Sequence, residues 1–144
     1  MKTLILLLLL FSSDLLMAQE TYFFLNTSTT NSEDWDAAVK TKNFLEINAE
    51  SGAFVGQYDG HRFSGKLTIG RTSSGFVKGF YIAATTGYVQ RDVVNDSAFN
   101  DITYKLSKVN RLYFYPDMLA QPTWDFLEIS LEDELPKLVL VKKH

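Results

Sequence analysis

From Asn43 to Val141 the chain is cut by turn formers into short runs of alternating apolar and polar residues, and this rhythm restricts the fold more than any other property. In the stretch from Arg62, for example, Phe63, Gly65, Leu67 and Ile69 alternate with Arg62, Ser64, Lys66 and Thr68. A period of two sends one set to a buried face and the other to water, as in a half-buried strand. Runs of strand character cover Phe44 to Ala49, Ala53 to Tyr58, His61 to Ile69, Phe76 to Ala84 and Tyr88 to Val94. Ile102 to Leu106, Arg111 to Tyr115, Trp124 to Leu131 and Lys137 to Val141 complete the series. The stretches between them, such as Glu50-Ser51-Gly52, Asp59-Gly60, Gly70 to Gly75 and Glu132 to Pro136, are rich in turn residues. Asp59-Gly60 is the strongest hairpin signal, because both residue types accept the positive φ that a two-residue turn demands.

Connections this brief leave no room for crossover helices, so consecutive strands pair antiparallel as a meander. An open sheet of eight or nine strands would leave two exposed edges, which closure removes. The expected fold is therefore mainly β: an antiparallel meander of eight or nine strands closed as a small β-barrel, with a two-sheet sandwich as the alternative. Thr21 to Leu25 suits a further short strand. One short N-terminal helix is expected after it, since Thr30 and Glu33 have capping-box spacing and Asp36 lies four residues before Lys40. Its buried stripe would be Trp35, Ala38 and Val39, at i, i+3 and i+4.

The first residues carry a different message. Lys2 is a positive flank, Leu4 to Phe11 is an unbroken apolar run, and Ala18-Gln19 offers a small residue for cleavage. This predicts a signal peptide over 1–18, a single domain over 19–144, and export to a periplasmic or extracellular location. The apolar segment falls short of the ~20 residues of a spanning helix, so no membrane span is expected after its removal. The chain has no cysteine. Disulfides, cysteine-held zinc and cysteine nucleophiles are thereby excluded, and stability has to come from packing.

Lys and Arg number 14 against 17 Asp and Glu, a net charge of -3, and no basic stripe interrupts the chain, so nucleic acid is not an expected partner. No phosphate-cradling glycine loop and no Gly-x-Ser-x-Gly elbow occurs. His61 stands alone beside the Asp59-Gly60 turn, with no second nitrogen ligand near it in sequence. Carboxylates recur at Asp92 and Asp96, at Asp125 and Glu128, and at Glu132-Asp133-Glu134, in positions that read as loops and outward faces. Asn95 to Asp101 lacks the central glycine and final glutamate of a calcium loop. The expectation is a protein that is not an enzyme and uses no cofactor and no metal.

Aromatic residues make up 14% of the chain, and they can serve as core or as a binding surface. Phe63, Phe80, Phe114, Trp124 and Phe126 lie on phases that suit the interior. Tyr81, Tyr88, Tyr113 and Tyr115 combine a flat ring with a hydroxyl, which suits a half-wet face. If Phe114 points in, Tyr113 and Tyr115 point out and form an aromatic patch fit for a partner.

With Trp35 near the mature N-terminus, successive hairpins, and two late pairs (Tyr104-Lys105-Leu106-Ser107 into Leu112-Tyr113-Phe114, and Leu127 to Leu131 into Leu138 to Lys143), the chain resembles the lipocalin-like calycin proteins in small bacterial exported form. Glu33-Asp34 precede Trp35 where that family's opening motif is Gly-x-Trp. The resemblance implies a barrel whose interior holds a small apolar ligand. Trp35, Tyr81, Tyr88, Tyr113, Tyr115 and Trp124 are the candidate ligand-binding residues. The alternative is an interaction module, an inhibitor or accessory protein that meets a protein partner through an exposed aromatic face.

Overall fold

A computed structural model of the chain describes residues 19–25, 32–70, 76, 78–116 and 124–143. The signal segment 1–18, Thr30 of the expected capping box, and His144 lie outside the described residues. The elements in order are β1 (Gln19–Leu25), α1 (Ser32–Lys40), β2 (Phe44–Asn48), β3 (Ala53–Tyr58), β4 (His61–Ile69), β5 (Gly79–Thr85), β6 (Gln90–Arg91), α2 (Ser97–Leu106), β7 (Val109–Tyr115), β8 (Trp124–Leu131) and β9 (Leu138–Lys143).

The sheet order β3-β2-β1-β9-β8-β7-β5-β4 returns on itself through the β3–β4 pairing, so eight strands close a lipocalin-like barrel, and β6 adds a short ninth strand on β4. All pairings are antiparallel. The β3–β4 hairpin turns on Asp59 at φ 51° and Gly60 at φ 82°, the pair of left-handed residues that the Asp-Gly dipeptide allows.

Inward positions are occupied mainly by large side chains. Tyr22, Phe24, Leu45, Ile47, Phe54, Phe63, Leu67, Tyr81, Leu112, Phe114, Leu127, Ile129 and Leu140 are all buried in one cluster. Their rings touch in chains that cross the barrel: Phe24 meets Phe63 at 6.4 Å, Phe63 meets Phe54 at 6.3 Å, and Phe114 meets Tyr22 at 6.5 Å and Phe76 at 5.8 Å. Two glycines make room for them. Phe54 pairs with Gly65 across the hairpin and Gly56 with Phe63, so each ring lies over a position without a Cβ. An added Cβ at Gly65 would sit 2.5 Å from the Phe54 ring, and one at Gly56 would sit 2.4 Å from Phe63. These glycines serve ring packing rather than the bends expected of strand glycines.

α1 lies on the outside of the barrel, as its stripe requires. Trp35 and Ala38 pack against Trp124 and Val141, with Phe23, Leu25, Val39 and Phe126 around them. Trp35 meets Trp124 edge-on at 5.5 Å, and Lys143 reaches Asp36 at 3.1 Å. Trp124 and Phe126, expected inside, thus face outward under the helix, while Leu127, Ile129 and Leu131 take the inner face of β8. Both faces of β8 are covered, so apolar character alone does not fix its phase.

The expected strand over Ile102 to Leu106 is instead the second half of α2. Phe99, Ile102, Thr103 and Leu106 are its buried face, spaced as a helix spaces one stripe. Asp96 caps it by accepting the Phe99 N–H at 3.0 Å, and Lys105 pairs with Asp101 at 2.8 Å one turn away. The helix lies across the end of the barrel where β4 begins and β5 ends. There Phe99 packs on Phe63 at 6.4 Å, and the Thr85 hydroxyl donates to the Leu106 carbonyl at 2.6 Å.

Candidate functional site

β5 and β7 pair as Phe80 with Tyr113, Tyr81 with Leu112, and Ile82 with Arg111. Tyr81 and Leu112 are buried in the barrel, so the alternation of the pleat turns Phe80, Ile82 and Tyr113 to the outside. Phe80 is 68% exposed and Ile82 80% exposed. Phe80, expected inside, is therefore on the surface, because the register of β5 gives the inner phase to Tyr81 and Ala83.

These residues form a continuous aromatic row. The Phe80 and Tyr113 rings lie 4.3 Å apart at 32°, and Tyr113 meets Tyr115 at 5.5 Å in an edge-on contact. Two cations sit on its rims, with the Lys78 ammonium 4.7 Å from the centre of the Tyr115 ring and the Arg111 guanidinium 6.0 Å from that of Phe80. The row ends at β8, where Phe126, paired with Tyr115, lies under α1, and Glu128, paired with Tyr113, is bound to Lys137 at 3.3 Å. Leaving a Phe or Ile side chain in water forgoes ~1.5–3 kcal/mol that burial would supply. Single exposed apolar residues are ordinary; two of them, Phe80 and Ile82, beside half-buried tyrosines and cationic rims make a patch that gains from being covered.

The sequence-based candidates separate into four places. Tyr113 and Tyr115 stand together on this outer face. Tyr81 is an interior residue, 3% exposed and edge-on to Phe76 at 5.4 Å. Trp35 and Trp124 lie against each other beneath α1. Tyr88 is 95% exposed on the β5–β6 connection. Phe80 and Ile82 complete the face and were not singled out for it, although Phe80-Tyr81-Ile82 is a run of three bulky residues of which a strand must expose at least one.

The interior carries a polar group as well. The Tyr22 hydroxyl donates to the Glu20 carboxylate at 2.7 Å, and Lys142 approaches the same carboxylate at 3.9 Å. Burial, reinforced by the negative charges of Glu20 and Asp125, holds the Tyr22 phenol far above its ordinary range. Tyr58 is raised too, by burial first and then by Asp59, Asp96 and Asp101. His61 faces Asp96 at 3.6 Å and packs edge-on against Phe99 at 5.3 Å. Among the described residues no three His, Cys, Asp or Glu side chains gather as a metal site, and no helix is long and apolar enough to cross a membrane.

No family model, curated protein or solved structure matches the chain.

Proposed function

We propose that this protein is an exported, non-enzymatic binding protein that recognises a protein partner through the outer aromatic face of β5 and β7. One observation carries the reading: an exposed Phe80 and the half-buried Tyr113 and Tyr115 form a connected row of rings on the outer wall between two cations, while the rings on the inner phase pack against one another across the barrel. Tyr, Phe and Arg are enriched at protein interfaces, the rings because they bury much area for few rotatable bonds and Arg because its planar guanidinium hydrogen-bonds and stacks. The cationic rims favour an acidic partner surface. A small apolar ligand inside the barrel is the weaker reading, since Phe54 and Phe63 fill the space that Gly65 and Gly56 leave open. Export rests on the apolar leader that precedes Gln19.

The test is an affinity capture from the envelope and medium of producing cells, run in parallel with wild-type protein and a Phe80→Ser/Tyr113→Ser double variant of unchanged melting temperature. A defined partner retained by the wild type and lost by the variant supports the reading. A small apolar molecule that co-purifies in stoichiometric amount and stays with the variant contradicts it.

A further inference from the structure

The outer wall of the barrel has three sectors. α1 covers β1, β9 and β8, the aromatic face occupies β5 and β7, and the third sector is a groove of about 590 Å³ over β2, β3 and β4, walled on one side by β6. That volume is within the ~300–1,000 Å³ of small-molecule sites. We propose that this groove binds a neutral oligosaccharide, an inference independent of the partner assigned to the aromatic face.

Strand register lays the groove out as two cross-strand rows. Phe44 pairs with Gln57, and Gln57 with Arg62. Glu46 pairs with Val55, Val55 with Ser64, and Ser64 with Gln90 of β6. The floor thus offers a half-buried aromatic ring and a valine that is 46% exposed, beside two amides, a hydroxyl, a carboxylate and a guanidinium. A pyranose ring presents the complementary pattern. Its C–H face is apolar, and its rim carries hydroxyls that each donate and accept. Planar Gln, Glu and Arg groups can meet two neighbouring hydroxyls at once.

Charge and backbone narrow the class. Glu46 and Asp92 offset Arg62 and Arg91, so the groove has no net field to select an anion or a cation. The backbone of β3 is paired on both sides, by β2 and β4, which leaves an extended peptide no edge to join on the groove floor. Recognition has to run through side chains. The wall is held in advance: Asp92 accepts the Arg62 N–H at 2.9 Å and Arg91 donates to the Asn100 side chain at 2.6 Å. Within the described residues the Glu46 carboxylate, the Arg62 guanidinium and the Gln90 amide make no hydrogen bond or ion pair, and they remain available to a ligand.

The experiment is an NMR titration of the full mature chain with cellohexaose, maltohexaose, mannohexaose and xylohexaose, with polygalacturonate and an extended acidic peptide as comparators. The proposal predicts that at least one neutral sugar shifts the Gln57 and Gln90 side-chain amides saturably. Val55→Arg, which fills the groove from an exposed position, weakens that binding at least about tenfold at unchanged melting temperature, and Phe80→Ser leaves it intact. Gln90→Ala, on the exposed strand β6, serves as the second variant and weakens binding without touching the core. The proposal is overturned if no neutral sugar shifts these groups, if only the anionic polymer or the peptide does, or if sugar binding survives both groove variants.

Discussion

Replacing Gly65 by alanine would put a methyl carbon 2.5 Å from Cζ of Phe54 and 3.0 and 3.2 Å from its two Cε atoms. The ring has little freedom to withdraw, since Phe54 is 2% exposed and packs on Phe63 at 6.3 Å. Overpacking of this kind costs ~1–3 kcal/mol, and the stiffer unfolded chain returns ~0.4–1 kcal/mol. A net loss of about 1–2 kcal/mol follows for Gly65→Ala. Gly56→Ala is worse, because its Cβ would lie 2.4 Å from the backbone oxygen of Phe44 as well as from Phe63, and a carbonyl in the β2–β3 ladder cannot rotate aside. Its loss should reach about 3 kcal/mol. Urea unfolding followed by far-ultraviolet circular dichroism, with an unchanged m-value, gives both numbers. Phe54→Leu in the Gly65→Ala background should recover about 1 kcal/mol relative to additivity, as expected for side chains in contact. A Gly65→Ala protein as stable as the wild type, a Gly56→Ala change milder than Gly65→Ala, or strict additivity with Phe54→Leu would refute the ring-over-glycine packing.

Two further outcomes follow from the polar groups. Tyr22 is held neutral in the fold well above its unfolded value of ~10, so its contribution is complete below that pH and stability declines as pH rises beyond it, at up to ~1.4 kcal/mol per pH unit for one such group. Alkaline unfolding curves should show that decline together with late-titrating tyrosinate absorbance, and Tyr22→Phe should flatten the decline while costing about 1 kcal/mol at neutral pH through the lost bond to Glu20. Asp96→Ala should cost ~1 kcal/mol by removing the cap of α2, and hydrogen exchange should show the first turn after Asp96 losing protection while β7 and β8 keep theirs.

The barrel was legible where a hairpin carries its own evidence, as in β3–β4, with alternation on both arms and Asp59-Gly60 between them; the expected strand over Tyr88 to Val94 is only the two-residue β6, and β5 pairs with β7 past it. The stripe of α1 was legible for the same reason, since Trp35, Ala38 and Val39 fit only the helical period. α2 was misread because Ile102, Tyr104 and Leu106 alternate over five residues, a window in which both periods fit. Phe99 settles it, as Phe99, Ile102, Thr103 and Leu106 form one helical face that alternation cannot explain. The aromatic face was half legible. Tyr113 and Tyr115 follow from an inward Phe114, but nothing local distinguishes Phe80 from Tyr81 as the outward residue, and pairing with β7 decides it. Trp124 and Phe126 misled for a tertiary reason: α1 buries the outer face of β8, so both phases of that strand are under cover.

The central claim is that the barrel is filled by its own rings and that recognition belongs to its outer wall. Proton NMR with a soluble paramagnetic co-solute, followed by addition of a long-chain fatty acid, tests it most directly. The account predicts strong attenuation of Phe80, Ile82, Tyr113 and Tyr115, little effect on Tyr22, Phe54, Phe63 and Phe114, and no movement of those four inner rings when the fatty acid is added. Inner rings that shift at one equivalent of fatty acid, or that the co-solute reaches, would contradict it.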